Sequence, residues 1–254
     1  MIRVRAAPDM AAIDGRPLDD ADLLDAWERT SELVRPWREL AILELVGAGP
    51  ADEVAHLPVG SRDGLVLDML KAAFGPGLEA EVSCPACGER LELRLDVDQV
   101  RQPGPVPAVG HEISLDGWSV EFRLPDSIAV AACRESDGDL EPILLRRCVE
   151  RVRHGRGVAD LEALPAAVRG AVAARMAELD PQAEVLVDVA CPACGHRWPA
   201  LFDPVDFLLR VLDGHARHLL LEVDQLARAY GWREADVLAL SPQRRRQYLE
   251  LATQ

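Results

Sequence analysis

Apolar positions recur at threes and fours along much of this chain and alternate in a few short stretches, and the two periods divide it into helices and strands. Behind Asp19 or Asp20 as cap, Leu23, Leu24, Trp27, Leu33 and Val34 make an interrupted helical stripe that Pro36 ends. The run from Trp37 to Val46 predicts a second helix, stopped by Gly47, Gly49 and Pro50. Ser61 is placed to cap a third, carrying Leu65, Met69, Ala72 and Ala73 and closed by Phe74-Gly75-Pro76-Gly77. Met1 to Pro17 has little periodicity and suits a strand or an arm.

Strict alternation takes over at Leu91, Leu93, Leu95 and Val97, with Glu92, Arg94 and Asp96 turned to water, and Leu78, Ala80 and Val82 form the strand before it. Val185, Val187 and Val189 repeat the pattern later, followed by a shorter arm from His196 to Phe202. Between these units come a proline linker (Pro103, Pro105, Pro107) and a hairpin in which Ile113 and Leu115 face Val120 and Phe122 across Asp116-Gly117. A short helix from Ser127 carries Ile128, Ala132 and Cys133. A longer one from Asp139 to about Val152 has Leu140, Leu144, Cys148 and Val152 on one face. Another opens at Leu164-Pro165, carries Val168, Val172, Met176 and Leu179, and closes at Asp180-Pro181. Asp203-Pro204-Val205-Asp206 then starts a helix predicted to reach Tyr230, about 40 Å at 1.5 Å per residue, with Gly214 as a bending point and Gly231 as the stop. Glu234–Leu240 and Pro242–Leu251 read as two short helices.

Both alternating units turn on the same five residues, Cys84-Pro85-Ala86-Cys87-Gly88 and Cys191-Pro192-Ala193-Cys194-Gly195. Four thiolates at this spacing are what a tetrahedral zinc ion takes, so Cys84, Cys87, Cys191 and Cys194 are predicted to share one structural Zn²⁺. Residues 88–190 separate Cys87 from Cys191, which makes the intervening hairpin and helices an insertion. Loop closure costs only logarithmically more with length, so such an insertion is tolerable once it folds. A redox reading of the Cys-Pro-Ala-Cys pairs would need a helix start after each strand, whereas strands flank both copies. With four thiolates the site is full, which argues against catalytic zinc; His196 is a substitute ligand or an orienting neighbour. Cys148 reads as a core thiol, and His215 and His218 as surface or edge residues. Asp19-Asp20 suits capping, and Arg244-Arg245-Arg246 a helix-end cluster able to grip an acidic surface. Arg62, opposed by the helix dipole, is either held by a carboxylate or solvated.

The expected fold is therefore α+β, mostly helical, with a split zinc ribbon of two CPxCG hairpins and an inserted β-hairpin plus helices. It divides into a helical region over residues 1–77, the ribbon over 78–202 with its insertion at about 103–183, and a helical region over 203–254.

Composition narrows the function. The 254 residues carry 43 acidic against 28 basic side chains, a formal −15, and Lys71 is the only lysine. A net anion is repelled by phosphates, which argues against nucleic-acid binding, although a zinc-ribbon nucleic-acid or regulatory module is the competing class. No leader or bilayer-length apolar run is evident, so a soluble, cytoplasmic protein without membrane partners is expected. Six cysteines are too few for a disulfide scaffold. There is no GxSxG, HExxH, phosphate loop or dinucleotide turn, and a non-enzyme is expected.

Several segments together carry a family resemblance: Leu57-Pro-Val-Gly-Ser-Arg-Asp63, Phe74-Gly75, the first knuckle with Glu92 in its exit strand, Phe122-Arg-Leu-Pro125, Asp180-Pro181 before Cys191-Pro-Ala-Cys-Gly-His-Arg-Trp198, Leu226-Ala-Arg-Ala-Tyr-Gly-Trp232 and Ser241-Pro-Gln-Arg-Arg245. From about residue 55 onward the chain resembles proteins related to T-even bacteriophage baseplate proteins, encoded with contractile phage tails and phage-tail-like contractile injection systems. The resemblance implies a baseplate or hub component, or a factor that helps the hub assemble, with hub or baseplate proteins as partners. Some of those relatives lack the cysteine pairs, so the zinc prediction rests on the residues of this chain.

Overall fold

A computed structural model describes residues 12–13, 16–102, 110–134 and 140–252. The proline linker at 103–107, most of the N-terminal arm and the start of the helix expected at Asp139 lie outside the described residues. In chain order the elements are β1 (Ala12–Ile13), β2 (Arg16–Pro17), α1 (Asp20–Thr30), α2 (Trp37–Leu45), α3 (Ala51–Ala55), α4 (Val59–Phe74), β3 (Gly77–Ser83), β4 (Arg90–Asp96) and α5 (Val97–Val100). Then follow β5 (His111–Leu115), β6 (Trp118–Phe122), α6 (Ser127–Arg134), α7 (Leu140–Cys148), β7 (Val149–His154), β8 (Gly157–Val158) and α8 (Ala166–Leu179). The chain closes with β9 (Val185–Ala190), β10 (Arg197–Phe202), α9 (Pro204–Tyr230), α10 (Glu234–Leu238) and α11 (Pro242–Ala252). The architecture is mixed α+β.

Local chemistry explains most of the boundaries. Asp19 caps α1 by accepting from the Asp22 N–H at 3.0 Å while the Asp22 carboxylate accepts from the Asp19 N–H at 2.9 Å, so both ends of the capping box are satisfied. The helix stops at Thr30, which leaves Leu33 and Val34 outside the expected stripe and exposed. Helix α4 begins at Val59 with Pro58 as cap, so Ser61 sits inside the first turn and does not cap. Asp116 and Gly117 both take positive φ, 50° and 80°, the pair of left-handed residues a two-residue hairpin turn requires. The helix expected to run through Val152 ends at Cys148. Residues 149–154 pair instead with β6, Val152 opposite Val120, and β5-β6-β7-β8 form a four-stranded antiparallel sheet where a lone hairpin was expected. Helix α9 runs unbroken through Gly214 for 27 residues and ends at Gly231 in the left-handed conformation.

Among the described residues, two hydrophobic clusters hold most of the buried apolar side chains. The first joins Leu43 of α2 and Leu67 of α4 to Leu78 of β3, Val185 of β9, Phe202 of β10 and Leu208 of α9. The second is built wholly from the intervening stretch, with Phe122, Cys148, Val152, Val168 and Val172 among its members. Cys148 is fully buried there. The necks of that stretch meet, because the Gln102 N–H donates to Gln182 Oε1 at 2.6 Å.

Two distant segments converge on the start of α4, one at residues 125–127 and one at Asp180. The Val59 N–H donates to the Pro125 carbonyl at 2.9 Å, and the Gly60 N–H to Asp180 Oδ2 at 2.9 Å. A Cβ on Gly60 would stand 2.0 Å from Asp180 Oδ1, so only glycine admits this approach. Arg62 is buried; its Nε and Nη2 donate to Asp63 at 2.8 and 2.6 Å and its Nη1 to Ser127 Oγ at 3.1 Å. Next to them Asp126, also buried, accepts from the Ala129 N–H at 2.8 Å, from Arg123 at 2.7 Å, and pairs with His56 at 3.1 Å.

At the far end α9 packs on α1, α10 and α11. Arg245 is buried among them. Its guanidinium donates to Glu222 at 2.7 Å, to the Leu240 carbonyl at 2.8 Å, and to Asp20. The middle arginine of the triplet thus serves an internal clamp, not an acidic partner surface, and Asp20 serves the clamp while Asp19 does the capping.

Burial pushes the Asp126 carboxyl up, but the Ala129 N–H, His56 and Arg123 outweigh it and hold the group below its ordinary 3.8. A depressed folded-state pKa contributes stability that is present above the unfolded value and lost as pH falls through the folded one. Asp126→Asn is therefore expected to lower unfolding free energy by about 1–2 kcal/mol at neutral pH. In urea denaturation the gap between wild type and variant should shrink once pH drops below 3.8; a gap that is constant down to acid pH would remove the charge from the explanation.

Candidate metal centre

The β3–β4 hairpin pairs from Gly77 opposite Asp96 to Ser83 opposite Arg90, and β9–β10 from Val185 opposite Phe202 to Ala190 opposite Arg197. One face of each leans on the first core, through Leu78, Ala80 and Leu95 in the first hairpin and Val185, Val187 and Phe202 in the second; Leu91 and Leu93 are half-buried, while Glu92 and Arg94 are exposed as their alternation requires. Each hairpin thereby carries its cysteine turn to the tip.

The two turns are built alike. The Gly88 N–H donates to the Cys84 carbonyl at 2.9 Å and the Cys84 N–H to the Glu89 carbonyl at 2.8 Å; the Gly195 N–H donates to the Cys191 carbonyl and the Cys191 N–H to the His196 carbonyl, both at 2.9 Å. Gly88 and Gly195 sit at φ 77° and 74°. In each copy the first cysteine is buried and the second exposed.

Across the copies, Cys84 Sγ lies 3.7 Å from Cys194 Sγ and Cys87 Sγ 3.7 Å from Cys191 Sγ, and all four sulfurs fall within 4.8 Å of one another. Disulfide sulfurs lie about 2.05 Å apart, so these are four free thiols around a common centre. Their titration is interdependent. Burial pushes Cys84 up, yet the N–H groups of Ala86 and Cys87 and the adjacent thiols bring it down to about 7. The Glu89 N–H works to lower Cys87, but Cys194, Cys84 and Cys191 push it up to about 12. Negative charge cannot spread over all four sulfurs unaided, and a multivalent cation at their centre reverses that balance. The arrangement can hold one metal ion with no ligand position left over.

Other residues singled out in the sequence fall outside this cluster. The His196 ring lies over Trp198 with centroids 5.7 Å apart. His215 pairs with Asp20 at 2.9 Å and His218 with Glu222 at 3.2 Å, so the two serve separate contacts along α9. Cys133 and Cys148 belong to the intervening stretch. The convergence of Gly60, Asp126 and Asp180 had no sequence signal, since nothing local ties residue 60 to residue 180.

These features define the class: a mixed α+β protein whose two hairpin tips form a four-cysteine cluster able to coordinate metal. The chain belongs to the family described as T4 bacteriophage base plate protein, which matches residues 38–209, from α2 through both cysteine turns into α9. The chain is thus a baseplate-family structural protein, and the match brings in no catalytic domain. No curated protein and no solved structure matches the chain. Among the described residues, no helix is long and apolar enough to cross a membrane.

A Cβ at either glycine meets no atom within 4 Å, so only the positive φ demands glycine there. Gly88→Ala and Gly195→Ala are each expected to cost about 1–2 kcal/mol, the strain of an L-residue in the left-handed region. Guanidinium unfolding of the two variants checks whether the costs match; markedly different values would mean the turns are not equivalent.

Proposed function

We propose that the protein is a non-enzymatic structural or assembly component of the baseplate or hub of a phage-tail-like contractile injection particle, and that Cys84, Cys87, Cys191 and Cys194 hold one structural Zn²⁺. The observation that carries the metal reading is the spacing of 3.7 Å across the two turns. Zn–S bonds of about 2.3 Å in a tetrahedron put the sulfurs about 3.8 Å apart. On this reading the two hairpins are halves of one zinc ribbon. A separate second core within residues 120–176 supports the insertion in the proposed division, in which a helical region (1–77) and a helical region (203–254) are joined by a ribbon (78–202) carrying an insertion at about 103–183. Zinc holds the shape, and other baseplate or hub proteins are the partners. Exposed apolar side chains support a role in assembly: Val34 and Trp37 beside α2, Leu221 on α9, and the cross-strand pair Leu186 and Leu201. The site of action is the cytoplasm and then the assembled particle. A formal charge of −15 weighs against the nucleic-acid alternative.

Purified protein is expected to carry about one Zn²⁺ per chain by elemental analysis. Cys84→Ser and Cys191→Ser should lower the melting temperature equally and severely, since structural zinc in small peptides is worth about 10 kcal/mol or more. Two metals, no metal, or unequal losses would mean that the turns do not share an ion. In a mobility-shift assay at low salt no tight DNA or RNA complex is expected. Purified particles should contain the protein if it is a permanent part, and unassembled lysate alone should yield it bound to hub proteins if it is an assembly factor. Recovery from neither, or a tight salt-sensitive nucleic-acid complex, would sink the baseplate role.

A further inference from the structure

Away from the cysteines, a cleft of about 190 Å³ opens between α2, α4, α6 and the junction of β10 with α9. Glu39 lines it, only 1% exposed. Its Oε1 accepts from Arg35 Nε at 3.3 Å, but its Oε2 is buried and has no hydrogen-bond partner among the described residues. A carboxylate oxygen buried without a donor is costly, and the cations beside it are committed elsewhere. Arg35 donates through Nη1 to Asp203 at 3.1 Å, while Arg62 is spent on Asp63 and Ser127. Arg134 stands exposed at the rim.

Val59, Val130, Leu201 and Phe202 supply apolar wall, and the other acidic groups of the lining are engaged, Asp63 by Arg62 and Asp203 by Arg35 and the Asp206 N–H. Apolar wall beside a buried carboxylate oxygen that has no donor among the described residues matches an aliphatic stem with a cationic head. A single free oxygen suits the compact ammonium better than a guanidinium, whose planar fork is best met by two. The protein's own lysine is unsuited, since Lys71 is held by Asp98 at 2.6 and 2.8 Å. We propose that this cleft receives a lysine side chain from a partner protein, with Glu39 Oε2 accepting from the ammonium.

Two features favour a protein over a free amine. The formal −15 draws a basic partner. Val34, 72% exposed, and Trp37, 53% exposed, flank the lining residues Arg35 and Pro36, and Leu201 in the wall is 67% exposed and paired with exposed Leu186, so apolar neighbours of the lysine would find contact. The inference stands on the cleft alone and is independent of both the zinc and the baseplate readings.

The test is a methyl NMR titration of the full chain with acetyl-Leu-Lys-Leu-amide, following Val59, Val130 and Leu201. Saturable shifts at those methyls are expected, with affinity about tenfold weaker or worse in Glu39→Gln, as loss of a charge-assisted hydrogen bond implies. Val130→Trp, which narrows the cleft and keeps Glu39, should abolish them even if Glu39→Gln folds poorly. The norleucine analogue of the peptide should not bind. Absence of shifts would mean that solvent alone serves Glu39. Equal shifts with norleucine, or with Glu39→Gln, would mean apolar adsorption. Binding of n-butylammonium as tight as the peptide would assign the cleft to a small amine. Each of these three results overturns the proposal.

Discussion

Four sulfur atoms within 4.8 Å of one another oblige residues 84–87 and 191–194 to arrive at one point, whatever the chain does between them. Everything else in the fold accommodates that meeting. The hairpins need a common support, and they find it in a core shared by the early helices and the start of α9. The intervening stretch buries most of its apolar side chains in a core of its own around Phe122, Val152 and Val172, with Ile128 reaching across to the first. Because it folds on itself, the entropy of closing so long a loop is small beside the packing it returns. The sulfurs also constrain one another electrically: the adjacent thiols help hold Cys84 down at about 7 and push Cys87 up to about 12, so the group titrates as one coupled set.

Buried arginines organise the remainder. Arg62 and Arg245 each lie out of water with carboxylates in contact, Asp63 for the first and Asp20 with Glu222 for the second. Such pairs add little net stability over well-packed apolar groups, but breaking one leaves a charge stranded. Arg245 ties α11 to α1 and α9, and Arg62 ties α4 to α6.

The sequence disclosed those parts whose causes are local. Two copies of a five-residue turn, an Asp-Gly pair needing two positive φ values, and an apolar stripe sustained from Val205 to Leu226 each specify their structure within a few residues. Where the cause is remote, local period misleads. Val152 falls at the right interval to extend α7, but its partner is Val120 across the sheet, so the helical stripe ends at Cys148. Leu33 and Val34 continue a stripe on paper, yet α1 has already ended at Thr30. The Arg244–Arg246 triplet shows three positive charges and nothing of Asp20, at the other end of the chain. Glu39, in an ordinary amphipathic run, gives no hint that one of its oxygens is buried without a donor.

The hydrogen bond from Gln102 to Gln182 carries a consequence for how this protein can change. Both ends of the intervening stretch leave the main body side by side, and Pro125, Ser127 and Asp180 hold its inner side against the start of α4. Chain outside those anchors can lengthen, shrink or exchange its outward face while the frame beneath stays constant. One scaffold can thus be refitted with a different head for a different neighbour without renegotiating the joint that holds it together.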